Sequence, residues 1–253
     1  MANLFPRWTN ELPLKAVVCV AALGGIVSGL VAYTATPKYT RVGYMPEQPI
    51  PFDHSLHAQQ LGMDCRYCHS FVEQSSHSNL PADQVCWNCH GPGKVKPDSP
   101  KLQALREAMD ESSEDYTGRP VAWVQIHETP DYAYFNHSAH VNRGVSCVEC
   151  HGQVNEMKVV YHAKPLSMSF CLDCHRNSEK VLRPLDQITN LDWKAEDVDK
   201  DAFYAYLADK TGKGVEDLKK ADSHKTFDRL LIGGHLKEAW NVHPPQDCTA
   251  CHR

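Results

Sequence analysis

Ten of the chain's eleven cysteines fall into one repeated pattern, Cys-x-x-Cys-His, which occurs five times in 253 residues. The copies are Cys65–Cys68–His69, Cys86–Cys89–His90, Cys147–Cys150–His151, Cys171–Cys174–His175 and Cys248–Cys251–His252. Each copy offers two thiols for thioether bonds to a porphyrin and an adjacent imidazole as proximal ligand of its iron, the attachment pattern of c-type haem. Zinc ribbons also use Cys-x-x-Cys, but in pairs, so five units leave one over, and zinc has no need of a histidine after every second cysteine. A disulfide framework fits no better, because two intervening residues close a tight redox-active loop rather than a structural staple. The pattern predicts five covalently bound haem c groups, held by these ten cysteines, with His69, His90, His151, His175 and His252 as proximal ligands.

Five porphyrins replace much of the core that Leu and Val would otherwise form. The expected fold class is an N-terminal transmembrane helix followed by a mostly α and irregular multihaem cytochrome c domain, with a haem-dominated core and little sheet. Helical turns are expected around each motif, with long loops between them. The formal net charge is −5, and no basic patch of the kind nucleic acid requires is present. Residues 16–37 carry no charged side chain, and about 20 such residues cross a hydrocarbon core of roughly 30 Å. No A-x-A cleavage site follows, so the stretch reads as an uncleaved signal anchor. Gly24, Gly25, Ser28 and Gly29 would let another membrane helix approach closely, while Cys19 reads as one more apolar residue. Flanking charge does not orient the span, since Arg7 and Lys15 balance Lys38 and Arg41. Haem attachment orients it instead. It takes place on the outer side of the bacterial cytoplasmic (inner) membrane, which puts 38–253 on the periplasmic side.

The motifs are internally duplicated. Phe52-Asp53-His54-Ser55-Leu56-His57 precedes the first, and Phe135-Asn136-His137-Ser138-Ala139-His140 precedes the third. The offset is 83 residues for His54 against His137, 82 for Cys65 against Cys147 and 85 for Cys86 against Cys171. Motifs one and two thus form one module, three and four a second, and the fifth stands alone. Closed haems need a sixth ligand each. His54, His57, His137 and His140 are the leading candidates, because two histidines three apart on one helical turn can serve two irons. The first would serve its own module's haem and the second a neighbour, tying haems together. His77 and Met168 compete for the remaining place; a methionine ligand raises the reduction potential relative to histidine. His127, His162 and His243 are reserves.

The domain layout expected is a cytoplasmic N-terminus at 1–15, the anchor at 16–37, haem module 1 at 38–95, a linker at 96–130, haem module 2 at 131–183, an insertion at 184–240 and the fifth site at 241–253. Within the linker, 101–112 reads as a short exposed helix and 121–127 as a strand or extended segment. The aromatics of 129–135 read as core packing ahead of a cover over haem or a partner surface. Residues 200–220 and 224–240 have helical patterning, with Phe203, Tyr206 and Leu207 on one face and a turn at Thr211–Gly214. The insertion shows no nucleophile–base set or phosphate loop. It is expected to pack on the haem core or on another subunit.

The segments FDHSLH, CRYCH, SHSNLP, CWNCH, IHETPDYAYFNHSAHVNRGVSCVECHG, PLSMSFCLDCHR and PPQDCTACHR closely resemble the pentahaem cytochrome c subunit (ActA) of alternative complex III. The resemblance covers most of 42–183 and the last ten residues. It implies a subunit of a quinol:electron-acceptor oxidoreductase, with an iron–sulfur subunit, polytopic quinol-binding subunits and monohaem cytochrome subunits as partners. A periplasmic carrier or terminal oxidase would accept the electrons. It also implies mostly bis-histidine ligation with some His–Met. On this reading the chain is an electron wire without a substrate-converting site of its own. The alternative is a self-standing multihaem quinol dehydrogenase or periplasmic reductase.

Overall fold

The computed structural model describes residues 6–36 and 40–252; residues 1–5, 37–39 and 253 lie outside the described residues, and with them the flanking Lys38. The chain divides into two compact units, residues 1–42 and 43–253. The first is dominated by α1, Leu12–Ala35, which begins four residues before the uncharged stretch and carries its proline in the first turn, where a missing N–H costs nothing. Its 24 residues have no buried member. At 1.5 Å per residue they extend about 36 Å, so α1 is long and apolar enough to cross a membrane.

The second unit is short helices on long irregular segments, and its β structure among the described residues is one isolated antiparallel bridge, Val145 to Leu182. In chain order the helices are α2 (Cys65–Cys68), α3 (Asp83–His90), α4 (Gln103–Met109), α5 (His137–Val141), α6 (Val148–His151), α7 (Met168–Arg176), α8 (Lys200–Thr211), α9 (Val215–Ala221), α10 (Arg229–Ala239) and α11 (Cys248–Cys251). A π-helical turn occupies Ser55–Gln60. Three readings of the linker and its aromatics are corrected. The helix of 101–112 is α4, but it is not exposed: Leu105 and Ala108 are buried. Residues 121–127 are extended without joining a sheet, because the Gln48 amide takes the place of a neighbouring strand. It accepts from Val124 N and donates to Val124 O, each at 2.9 Å. The aromatics of 129–135 are not core either, since Tyr132 and Tyr134 are exposed.

The apolar core lies in the insertion and its flanks. Leu182, Trp193, Phe203, Tyr204, Leu207, Leu218, Ile232, Leu236 and Val242 form its main cluster. By contrast, none of the helices that carry the cysteine motifs contains a buried residue. The patterned run 200–220 is two helices, broken where Gly212 adopts a left-handed φ of 71°, a conformation open to glycine. Phe203 and Leu207 are buried as expected, joined by Tyr204, while Tyr206 packs at the cluster's edge and accepts from Trp240 Nε1 at 2.7 Å. The insertion is tied to the third motif: Glu149 receives buried Arg183 at 2.9 Å and also Arg229 at the start of α10.

Beneath this cluster Asp222 is buried and accepts from Tyr204 Oη at 3.1 Å, Lys225 Nζ at 3.0 Å and His235 Nε2 at 2.5 Å. Burial pushes its carboxyl up, but the Lys225 and His235 hydrogen bonds outweigh this and hold it below the ordinary value. A carboxylate depressed in the folded state contributes stability that is complete above the unfolded value of ~3.9 and fades as pH falls through the lower folded value. Asp222→Asn is therefore expected to lower the melting temperature near neutral pH and to flatten its decline below about pH 4. Melting curves from neutral to acid pH check this; an equally steep acid limb in the variant would rule it out.

Candidate haem attachment sites

Residues three and four apart share a helix face, so a single turn of Cys-x-x-Cys-His presents both thiols and the imidazole on one side. Three motifs close that turn visibly: the His69, His151 and His252 amides donate to Cys65, Cys147 and Cys248 carbonyls at 2.8, 2.9 and 2.8 Å. Asp64, Ser167 and Asp247 cap the turns of α2, α7 and α11, satisfying amides that such short helices leave open. All eleven cysteines are unbridged.

Four of the five motif histidines have their Nδ1 against a main-chain carbonyl. His69 meets Asn79 O at 2.8 Å, His90 Val95 O at 2.8 Å, His175 Pro245 O at 2.6 Å and His252 Tyr132 O at 3.0 Å. His57, His137 and His140 do the same with Asp53 O, Ser76 O and Asn136 O at 2.8, 2.8 and 2.7 Å. A carbonyl only accepts, so in all seven rings Nδ1 carries a proton, and in the neutral ring this leaves the Nε2 lone pair for a metal. Asn79 reaches His69 from a left-handed φ of 55°, which asparagine tolerates.

The duplication is repeated in three dimensions. Phe52 stacks on His57 at 4.4 Å and meets His54 edge-on at 4.8 Å. Phe135 stacks on His140 at 4.5 Å and meets His137 edge-on at 4.7 Å. Ring centroids are 6.3 Å apart for His57 and His90, 6.4 Å for His137 and His151, and 6.1 Å for His140 and His175. His54 is drawn to about 4 by burial and then by the neighbouring His69. Burial likewise lowers His137 and His140, and takes His151 to about 3 with His127 beside it. These rings are neutral at pH 7, as ligation demands.

Residues 98–232 match the profile of cytochrome c552, more than half of the chain. The chain belongs to the cytochrome c552 family. Among curated relatives, the multihaem cytochrome c subunit of menaquinone reductase from Nitratidesulfovibrio vulgaris is 35% identical over 105 residues, 42% of this chain and 46% of the relative. Cytochrome c-552 from Desulfotalea psychrophila is 41% identical over 61 residues, 21% of this chain and 12% of the relative. The chain thus spans less than half the length of the curated relatives it matches. It is a multihaem c-type cytochrome, whose cofactor is covalently bound haem c.

The donor set of this cytochrome fits that cofactor. Two imidazoles on opposite sides of one metal, each with a metal–nitrogen bond of ~2.0 Å, keep their ring centroids roughly 6 Å apart, the spacing of the three pairs above. His54 Nδ1 is buried without a hydrogen-bond partner. The other candidates stand apart. Met168 opens α7 and is 68% exposed, so its thioether is not packed against a core. His77 lies close enough to His137 to lower its pKa by charge. His127 packs edge-on to His151 at 4.4 Å and lies 5.2 Å from His162. A centroid distance of 4.4 Å leaves no room for an iron between the rings. His243 has its Nε2 against Asn241 Oδ1 at 2.9 Å. His127 and His162 thus group around His151, from which 24 and 11 residues separate them along the chain.

Proposed function

We propose that the chain is a membrane-anchored pentahaem cytochrome c that carries electrons within a quinol:electron-acceptor oxidoreductase of the alternative complex III type. The observation that carries this reading is the recurrence of imidazole pairs 6.1–6.4 Å apart, each joining a motif histidine to an HxxH histidine. Haem c bound at these motifs supplies one-electron redox chemistry. The protein's residues hold and tune it. His69, His90, His151, His175 and His252 would hold the irons as proximal ligands. His54, His57, His137 and His140 would be the distal partners of His69, His90, His151 and His175, so that each HxxH turn would serve both haems of its module. Met168 is the candidate opposite His252, with His77 as its competitor. Main-chain carbonyls on Nδ1 fix the rings and raise the basicity of Nε2.

Support for the quinone link comes from α1 and from the menaquinone reductase subunit among the relatives. One helix offers little quinol pocket, so polytopic quinol-binding subunits are the expected partners. An iron–sulfur subunit, monohaem cytochromes and a periplasmic acceptor complete the assembly, with the haem domain outside the inner membrane.

Haem quantification against protein, with intact mass, is expected to give five haems per chain, falling to four when Cys248 and Cys251 are both changed to alanine. Fewer than five in the unmodified protein would overturn the pentahaem reading. Mild-detergent purification should bring down polytopic subunits and quinol-oxidising activity together. A chain that purifies alone and turns over a small substrate unaided would overturn the wire reading.

A further inference from the structure

Spatial contacts between the motifs define an order that differs from their order along the chain. The first HxxH turn reaches two motifs: His57 lies 6.3 Å from His90, while His54 carries the influence of His69. The first and second motifs are therefore neighbours. The second HxxH turn joins the third and fourth in the same way, through His137 with His151 at 6.4 Å and His140 with His175 at 6.1 Å.

The two modules meet through the first and third motifs. The α5 turn docks on the segment that follows the first motif. His137 N and Nδ1 both reach Ser76 O, at 3.1 and 2.8 Å, Ser138 N donates to Ser75 O at 3.1 Å, and Asn142 Nδ2 donates to Glu73 O at 2.9 Å. From the other side Thr189 Oγ1 donates to Asp64 Oδ2, the cap of α2, at 3.1 Å. Cys65 and Cys147 are neighbours at this junction. Haem c attached at both would bring two porphyrin edges together here. The second motif faces the linker instead, where Val121 N donates to Asp83 Oδ2 at 3.0 Å.

The fifth motif joins the fourth. His175 Nδ1 donates to Pro245 O at 2.6 Å, three residues before Cys248. Tyr134 N donates to Cys251 O at 2.8 Å and His252 Nδ1 to Tyr132 O at 3.0 Å, which seats the fifth motif beside the second HxxH segment.

We infer that the five attachment sites form a single file in the order second, first, third, fourth, fifth, with the electron path crossing between modules at the Cys65–Cys147 junction. Haem c held at these five sites would supply one-electron exchange between neighbours, with no bond made or broken, between a quinol source and a one-electron periplasmic sink. The inference rests on the five-haem reading above. A cryo-EM structure of the intact holo-complex tests it through the edge-to-edge distances between porphyrins. The expected result is that the four shortest gaps are second–first, first–third, third–fourth and fourth–fifth. EPR of the oxidised complex should show magnetic coupling between the first- and third-site irons. Five haems with the second site nearer the fourth than the first is to the third would overturn the order and leave the pentahaem reading standing. Fewer than five haems would overturn both.

Discussion

His140→Ala is expected to turn one haem of the chain from six-coordinate low-spin to five-coordinate high-spin and to cut electron throughput at least tenfold. The ring is held at two points, with Nδ1 donating to Asn136 O at 2.7 Å and Phe135 stacking on it at 4.5 Å, and it faces His175 at 6.1 Å. Its Nε2 is therefore the free end of a fixed ring. Alanine removes the donor and cannot replace it. The loss of a strong-field axial ligand moves the potential of that site, and a relay with one site out of step slows at that hop. A tenfold slowing corresponds to about 1.4 kcal/mol at the barrier, a modest share of the ~0.8 V range that axial ligands command. His140→Met is the informative companion, expected to keep the haem low-spin while raising its potential. EPR and spectropotentiometry of the variants read both effects. Ser138→Ala, which changes the same turn without touching a ring nitrogen, should alter neither. An unchanged low-spin count in His140→Ala would remove His140 from the ligand set.

The parts of this molecule that were legible in the sequence are those in which one residue type repeats at a fixed spacing. The HxxH turns are visible because both histidines recur at the same spacing, together with the phenylalanine that stacks on the second of them in both copies. The apolar helix is visible because α1 has no buried face to encode. Other features escaped because their cause is distant in the chain. Val124 is held extended by Gln48, 76 residues away, a contact with no local signature. Leu105 is buried although its helix reads as polar, because its burial depends on what packs over α4 rather than on helical period. Tyr132 and Tyr134 read as core because aromatics usually are; instead they flank the fifth motif, whose histidine bonds Tyr132 O. The insertion was the least legible region, yet it holds most of the apolar core, because the motif segments leave that role to the cofactor.

That division of labour makes the insertion the place where packing mutations act most strongly, and two adjacent glycines of α10 isolate the effect. Gly233 lies against the 3-10 turn that follows the fourth motif: a Cβ there would fall inside the Glu179 carbonyl oxygen and only 2.8 Å from its carbon. These are main-chain atoms, held further by Lys237 Nζ on Glu179 Oε2 at 2.8 Å, so α10 or the turn must move as a body. Overpacking of this kind costs about 1–3 kcal/mol, and Gly233→Ala is expected to lower Tm by roughly 4–10 °C while sensitising 200–240 to proteolysis. At Gly234 a Cβ meets nothing within 4 Å. There the same substitution replaces a poor helix former by the best one, and Gly234→Ala is expected to gain up to about 1 kcal/mol. Opposite signs at neighbouring positions separate packing from propensity, which alone would stabilise both variants. Calorimetry and the haem absorption spectrum, taken together, decide the case. Stabilisation by both alanines would show that α10 is not seated on Glu179, whereas loss of stability with an unchanged haem spectrum in Gly233→Ala would locate the damage in the insertion core.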